Sequence, residues 1–344
     1  MNSKGQVAQA AKWIFVVIIG VFLLGLFFNM IFKNVEDSKN ENERLILSYL
    51  NTFITNTRIN PNFQIQRDLD KNVQFEVDYN DLLIGKNSRS ISDVVLYSPK
   101  NFDTKNIMGN SIPFKSPFYL TNILTMFDQN KQYVIVYDFP KNGRLFSLFN
   151  NTIPSFLNVK IYYEDDFDNE ELNLFDSEFS EILFFTQKEQ YIPNYPNIAD
   201  YKYKTYTKFA FGDDRNFKFA KVSFYDDTKI IPLIDKSMFI GSIASDDYNE
   251  FLKQTSKLMP FMKRIFVLQY NKTNELINTN GRCFLNYQNI QNELLKLHDK
   301  INTYQDSVLF DNQNIIDLIY SIQEIDVIVK RENDEIKGRC SRVY

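Results

Sequence analysis

The residues of this chain best suited to catalysis are acidic side chains at the ends of two predicted strands. Asp138 lies at the end of one strand, and Glu164, Asp165 and Asp166 lie at the end of the next. If the two strands are parallel neighbours, these carboxylates converge at the carboxyl edge of the sheet, where α/β proteins bind ligands. Hard oxygen ligands gathered there would suit Mg²⁺ or Ca²⁺, and with them a metal-dependent hydrolase. Asp pairs elsewhere in the chain favour the alternative that these residues form turns and cap helices.

No other residue set predicts an active site. His298 is the single histidine, so a Ser-His-Asp or Cys-His arrangement would have to use it. It lies on an amphipathic helix beside Asp299, which favours a histidine on a packing helix over a catalytic base. One histidine and two distant cysteines cannot supply a typical four-ligand zinc site, and no glycine-rich phosphate loop is present. We therefore predict no catalytic residue and no cofactor.

The two cysteines, Cys283 and Cys340, flank the helical C-terminal part of the chain. The first precedes one predicted amphipathic helix and the second follows another, and a short polar segment connects the two helices. Antiparallel packing of these helices would bring both cysteines to one end, which predicts a disulfide in an oxidising compartment. The alternative is a pair of buried or free thiols.

The longest apolar run, residues 13–32, predicts where the protein lies. Twenty residues at about 1.5 Å each give roughly 30 Å of helix, the thickness of the hydrocarbon core of a bilayer. The run is longer than the apolar core of a cleaved signal peptide, and no small-residue cleavage site follows it. We therefore expect a single-pass helix in the cell membrane, with the lipid bilayer as its partner and the large domain outside.

A resemblance to a known family comes from Lys4-Gly5-Gln6 ahead of this apolar run. The motif resembles the class III signal of archaeal pilin-like proteins, and the whole layout resembles single-pass membrane proteins of small archaeal genomes. The resemblance implies that a peptidase cuts between Gly5 and Gln6 and that the subunits assemble through the helix. The family usually carries a Glu five residues into the mature chain, where this sequence has Ala10.

Composition limits the class of function. A net charge of −4 argues against a nucleic-acid-binding protein, which should show a strong basic excess. The chain has 44% hydrophobic residues and 32 Phe, enough to bury a sizeable core. Folding, and not disorder, is therefore the expectation for the part that follows the apolar run.

Hydrophobic periodicity divides the chain into five parts. The fold class is an α/β ectodomain with a mixed sheet and a C-terminal helical hairpin, on one N-terminal transmembrane helix. An apolar stripe in the juxtamembrane stalk predicts packing against the ectodomain or against a second copy of the stalk. The predicted parts are an N-terminal tail (1–12), the transmembrane helix (13–32), the helical stalk (33–60), the ectodomain (61–272) and the helical hairpin (273–344).

Three local predictions concern how the strands are arranged. Residues 118–139 read as a β-hairpin with its turn at DQNK, and residues 264–270 read as a strand. The alternating Tyr and Lys of residues 201–208 favour a strand at the edge of a sheet, where lysines block unwanted pairing. The alternative for that segment is a surface that grips anionic glycans.

The function that these observations favour is a non-catalytic one. We expect a membrane-anchored binding or structural protein of the cell surface, or of a secretion or adhesion assembly. Its expected partners are other proteins, or further copies bound through the membrane and stalk helices, and not nucleic acid. The alternatives are a pilin-like subunit processed before Gln6 and a tethered hydrolase that uses a divalent metal.

Overall fold

A computed structural model shows that the chain begins with one long helix, α1 (Ser3–Ile59). Its 57 residues correspond to about 86 Å at 1.5 Å per residue. The helix ends just before Pro61, as the sequence predicts, because the residue before a proline avoids helical geometry. The structure describes residues 3–140, 143–167, 180–187, 206–210, 220–224, 230–245, 247–279, 281–306 and 312–343.

The predicted transmembrane helix, residues 13–32, forms part of α1. Most of its side chains, including all those of residues 13–23, lie outside the described residues. Within the part of the chain that is described, no helix is long and apolar enough to cross a membrane.

The first sheet has six strands in the order β3-β2-β1-β5-β6-β4. All neighbouring pairs are antiparallel except β6 with β4. Val73, Phe75 and Val77 of β1 are buried on one face, as their alternation with polar residues predicts. The strands are β1 (Gln64–Val77), β2 (Asp81–Ile84), β3 (Asn87–Ser90), β4 (Leu96–Tyr97), β5 (Asn101–Lys115) and β6 (Tyr119–Asp128).

The second sheet also has six strands, in the order β12-β11-β10-β9-β7-β8. Strands β10, β9, β7 and β8 run parallel, whereas β11 and β12 are antiparallel additions, so the predicted mixed sheet is confirmed. The strands are β7 (Gln132–Tyr137), β8 (Asn158–Tyr163), β9 (Ser180–Thr186), β10 (Tyr206–Ala210), β11 (Lys221–Phe224) and β12 (Ile231–Pro232).

Six further helices complete the described fold, and the last two form the predicted helical hairpin. They are antiparallel, because Lys300 Nζ reaches Ser321 Oγ near one end (2.5 Å) and Asn286 Nδ2 reaches Glu332 Oε2 near the other (2.8 Å). The helices are α2 (Arg144–Asn150), α3 (Lys236–Ala244), α4 (Tyr248–Ser256), α5 (Leu258–Thr279), α6 (Phe284–Asp306) and α7 (Asn312–Glu335).

Helix α3 joins the cores of the two sheets. Its residues from Ser237 to Ala244 are all buried. Phe239 packs edge-on against Phe185 of β9 and Phe209 of β10, in the second sheet. Gly241 lies against the ring of Tyr97, in β4 of the first sheet. The structure is therefore layered, with α1 on one face of the first sheet and α3 between the two sheets.

The predicted hairpin at 118–139 is wrong. A turn does form, with Lys131 N donating to Asp128 O, but β6 belongs to the first sheet and β7 to the second. Both strands are buried along most of their length, so each needs cover on both faces. Because the two strands belong to different sheets, each is covered on both faces. A hairpin that paired them in one sheet would leave one face exposed.

The predicted strand at 264–270 is also wrong, because these residues lie within α5. The buried residues of this helix include Leu258, Met262 and Phe266, spaced four apart on one face, whereas Leu268 is 61% exposed. The short apolar run was therefore one side of a longer helical stripe, a case in which periodicity within a few residues cannot separate strand from helix.

Candidate functional site

The second half of α1 packs against the first sheet. Leu47, Leu50 and Ile54 are buried by contact with the sheet face that also carries the buried side chains of β1. Phe53 lies directly over Gly109 of β5, and a Cβ added there would come within 2.7 Å of its ring. Of the two partners predicted for the stalk stripe, the structure thus assigns this face of the helix to the ectodomain.

Polar contacts fix the orientation of α1 relative to the β2–β3 hairpin. Asn87 Nδ2 donates to Glu43 Oε2 (2.9 Å), and Arg44 Nε donates to Asn87 Oδ1 (3.2 Å). Two helical turns closer to the apolar run, Lys86 Nζ lies 3.4 Å from Glu36 Oε1. The folded body, which comprises the described residues from 61 to 343, therefore meets α1 from position 36 onward.

Ahead of this contact, α1 exposes large apolar side chains. Every described side chain from position 24 to 35 is exposed, and Phe32 is 69% exposed. Contiguous exposed apolar surface of this kind marks a binding or membrane surface. The largest of these side chains are Leu24, Phe27, Phe28, Met30 and Phe32.

A cavity of about 1070 Å³ is lined mainly by residues of the first sheet and of the turns beside it. Gln74 and Glu76 of β1 and Asn101 and Asp103 of β5 belong to its lining. They alternate with residues that pack against α1, so they lie on the opposite face of the sheet. Below them the buried rings of Phe75 and Phe102 stack at 4.4 Å between centroids.

The polar groups of the cavity are already ordered by one another. Gln74 Nε2 donates to Asp103 Oδ2 (2.9 Å), and Lys100 Nζ pairs with Glu76 Oε1 (3.3 Å). At the other end, Lys131 is held by Glu181, whose side chain is 2% exposed, at 2.6 Å. Amide and carboxylate groups held in place in this way can donate to and accept from a polar ligand. No sequence motif marked this cavity, because its lining comes from strands and turns far apart in the chain.

A buried lysine is a second feature that the sequence did not reveal. Lys257, 5% exposed, follows α4, and its Nζ donates to Val94 O (3.3 Å) and lies 4.8 Å from the centroid of the Tyr79 ring. Burial lowers the pKa of this ammonium to about 8, and four nearby carboxylates oppose the shift. They belong to Asp78, Asp81, Asp93 and Glu250.

The acidic residues considered as candidate metal ligands lie at the carboxyl ends of β7 and β8. Strands β7 and β8 are parallel neighbours, as the hypothesis requires. Asp138, however, accepts hydrogen bonds from the Thr186 hydroxyl (2.5 Å) and from Gln187 N–H (3.2 Å), while Glu164 and Asp165 form a short 3₁₀ turn. The side chain of Asp166 lies outside the described residues, and no group of three or more potential ligands gathers within them. This geometry favours the structural role for Asp138.

Two other features considered from the sequence are the single histidine and the strand with alternating Tyr and Lys. His298 is 27% exposed on α6, with its Nδ1 3.2 Å from Asn302 Nδ2 and 3.6 Å from Asp299 Oδ1. The predicted edge strand is wrong for its described part, since β10 (Tyr206–Ala210) lies between β9 and β11. Its buried Phe209 and Thr207 need cover that an edge position lacks. Residues 201–205 lie outside the described residues.

The predicted disulfide between Cys283 and Cys340 is present, with a Cα–Cα distance of 6.5 Å. Hydrogen bonds also hold the C-terminal segment. Asn333 binds the backbone of Val343 twice, at 3.0 and 2.8 Å, and the Tyr287 hydroxyl donates to Ser341 O (2.7 Å). The helical hairpin and the end of the described chain therefore form one unit.

The side chains at the predicted processing site, Gly5 and Gln6, lie outside the described residues, and their backbone is helical.

Comparison with known proteins places this geometry in no family. No family model matches the chain, and no solved structure matches it. Protein Ycf2 of Physcomitrium patens is 22% identical to it over 322 residues, which are 86% of this chain and 14% of Ycf2. The chain therefore spans a small part of the length of that relative. A similarity at this identity carries no activity to the chain.

Proposed function

We propose that this chain is a single-pass, membrane-anchored protein whose folded body works by binding at the cell surface and not by catalysis. The observation that carries the proposal is the division of α1 into two parts. Its described apolar side chains from Leu24 to Phe32 are exposed, whereas one face of its second half is buried against the first sheet. A helix that is apolar on all sides favours lipid as its surroundings.

The exposed apolar part of α1 continues into the part that packs against the body without a linker. Glu36 lies only four positions after Phe32 and is the first residue among the described side chains of α1 that pairs with the body. At 1.5 Å per residue, that is about 6 Å along the helix axis. The anchor would therefore hold the body directly against the membrane surface in one orientation.

Two further observations support a binding role outside the cell. A disulfide persists in oxidising compartments, which favours the side of the membrane away from the cytoplasm. The cavity on the first sheet offers ordered amides and carboxylates but no gathered metal ligands among the described residues. We propose a polar ligand or the surface loop of a partner protein as its occupant.

The test is fractionation of membranes that contain the full chain. Wild type should stay in the pellet after an alkaline carbonate wash, and its two cysteines should react with an alkylating reagent only after reduction. Leu24→Lys combined with Phe28→Lys should move the chain into the supernatant, because each lysine costs about 2.5–3.5 kcal/mol near the middle of a span. The matched control is Leu268→Lys, an equally exposed position on α5. Release of the wild type by carbonate would refute the proposal.

A pilin-like subunit is the second candidate, favoured by the same long helix with a projecting apolar half. It requires a mature chain that begins at Gln6, which N-terminal sequencing of protein from native membranes decides. A chain that begins at Met1 or Asn2 would exclude it and leave the plain anchor.

A further inference from the structure

Helix α1 carries a second stripe, on the face opposite the one that packs against the body. It runs from position 24 to position 59, and the spacing between successive members alternates between four and three residues. Each member whose side chain is described is exposed, although the same helix buries Leu47, Leu50 and Ile54 on the other side. The large apolar members are Leu24, Phe28, Val35, Leu45, Tyr49 and Ile59, exposed by 43–68%.

This spacing is the heptad repeat of a coiled coil, sustained for five heptads over about 54 Å of helix. Positions 28, 35, 42, 49 and 56 are the a positions, and 24, 31, 38, 45, 52 and 59 are the d positions. Leu47 and Ile54, which face the body, fall at the f positions. The body therefore lies on the side of α1 away from the stripe, so a second helix can reach the stripe without displacing it.

We infer that the partner of this stripe is the α1 helix of a second copy of the chain, parallel and in register. The stripe is complementary to a second copy of itself. Its apolar layers are interrupted by four polar ones, which come in two adjacent pairs: Ser38 with Asn42, and Thr52 with Asn56. In a parallel, in-register pair each polar side chain meets its own copy, so the two Asn amides can hydrogen-bond across the interface. An Asn at an a position is a known determinant of register and strand number.

Other arrangements mismatch these layers. An antiparallel pair packs each a position against a d position of its partner, so it would place Leu24 opposite Asn56 and Phe28 opposite Thr52 and leave polar groups against apolar ones. It would also place the two apolar runs at opposite ends of the pair, where one bilayer could not hold both. This second point, and only this one, rests on the proposed membrane anchor.

The test is disulfide cross-linking of the full chain in membranes, with single cysteines at adjacent positions. Ser38→Cys and Leu45→Cys lie on the stripe, whereas Asp37→Cys and Arg44→Cys are exposed but lie one residue off it. In the structure the native cysteines are bonded to each other, and the chain without an added cysteine is the blank. We expect mild oxidation to give a covalent dimer at least ten times faster at positions 38 and 45 than at 37 and 44.

Equal rates at all four positions would indicate random collision and overturn the inference, as would no dimer at positions 38 and 45. Leu45→Lys provides a second measurement, since it should abolish the dimer in mild detergent while the chain stays folded, because this position is exposed in the single chain. A dimer that survives this change also overturns the inference. Failure of the membrane anchor would be seen separately, as chain in the carbonate supernatant, where the cross-linking pattern can still be read.

Discussion

The contact between Phe53 and Gly109 offers the sharpest test of how α1 is held on the body. A Cβ added at Gly109 would lie 2.7 Å from Phe53 Cζ, 3.1 Å from Cε1 and 3.4 Å from Ile65 Cγ2. Phe53 is only 5% exposed and packed between helix and sheet, so its ring has little room to move. We predict that Gly109→Ala separates α1 from the sheet by a few tenths of an ångström and destabilises the fold.

The magnitude follows from two opposing terms. Forcing a methyl group into a filled core costs about 1–3 kcal/mol. Replacing Gly with Ala lowers the entropy of the unfolded chain, which returns about 0.4–1 kcal/mol where the backbone accepts Ala. Gly109 lies in β5 and is not among the residues with positive φ, so that gain applies. The net expectation is a loss of about 1–2 kcal/mol in the free energy of unfolding.

The assay is urea unfolding of the full chain in mild detergent, followed by a double-mutant cycle with Phe53→Leu. The smaller leucine should relieve the contact, so the double variant should be more stable than the sum of the two single effects by about 1 kcal/mol. Gly281→Ala is the matched control, because a Cβ there meets nothing within 4 Å. Strict additivity of the two changes, or a Gly109→Ala variant as stable as wild type, would refute this account of the interface.

Three more predictions concern other parts of the fold. Cys283→Ser opens a loop of 57 residues and should lower the free energy of unfolding by about 4 kcal/mol, measured by urea, and make stability insensitive to reductant. Below pH 8 Lys257 is protonated in both states; between pH 8 and 10.5 only the unfolded chain keeps the proton, so stability rises with pH. The free energy of unfolding of wild type minus that of Lys257→Met should therefore increase by about 3 kcal/mol between pH 7.5 and pH 10.5. The control is Lys253→Met, which removes a half-exposed lysine on α4. The difference between wild type and this variant should not increase in the same way. Gly241→Ala should lower the melting temperature, equivalent to about 1–2 kcal/mol, because its Cβ would lie 2.6 Å from the buried Tyr97 ring; an unchanged melting temperature would contradict this.

Much of the secondary structure could be read from local pattern. The alternation around Phe75, the end of α1 before Pro61 and the two C-terminal helices are confirmed, because each depends on residues within a few positions of one another. Antiparallel packing of those helices also made the Cys283–Cys340 disulfide predictable, since it places both ends of the pair together.

Sheet membership could not be read in the same way. A turn at residues 128–131 forms in the structure, yet whether it closes a hairpin or starts a crossing depends on what covers the flanking strands. The same holds for the strand that contains Phe209, which is central because β9 and β11 pair with its two sides. Pairing partners in a sheet lie far apart in sequence, so alternation shows that a strand exists and not where it lies.

The sequence by itself determined the apolar run at 13–32, the stripes of α1 and the mixed α/β class, because these follow from residue spacing and composition alone. Only the tertiary structure decided which stripe of α1 packs against the body and which stays exposed. It also decided that Lys257 is buried and that Gln74 and Asp103 line a cavity, since burial depends on chain segments that meet only after folding. Periodicity in the sequence shows that one face of a helix or strand is apolar. Whether that face is buried or exposed depends on which other segments of the folded chain pack against it.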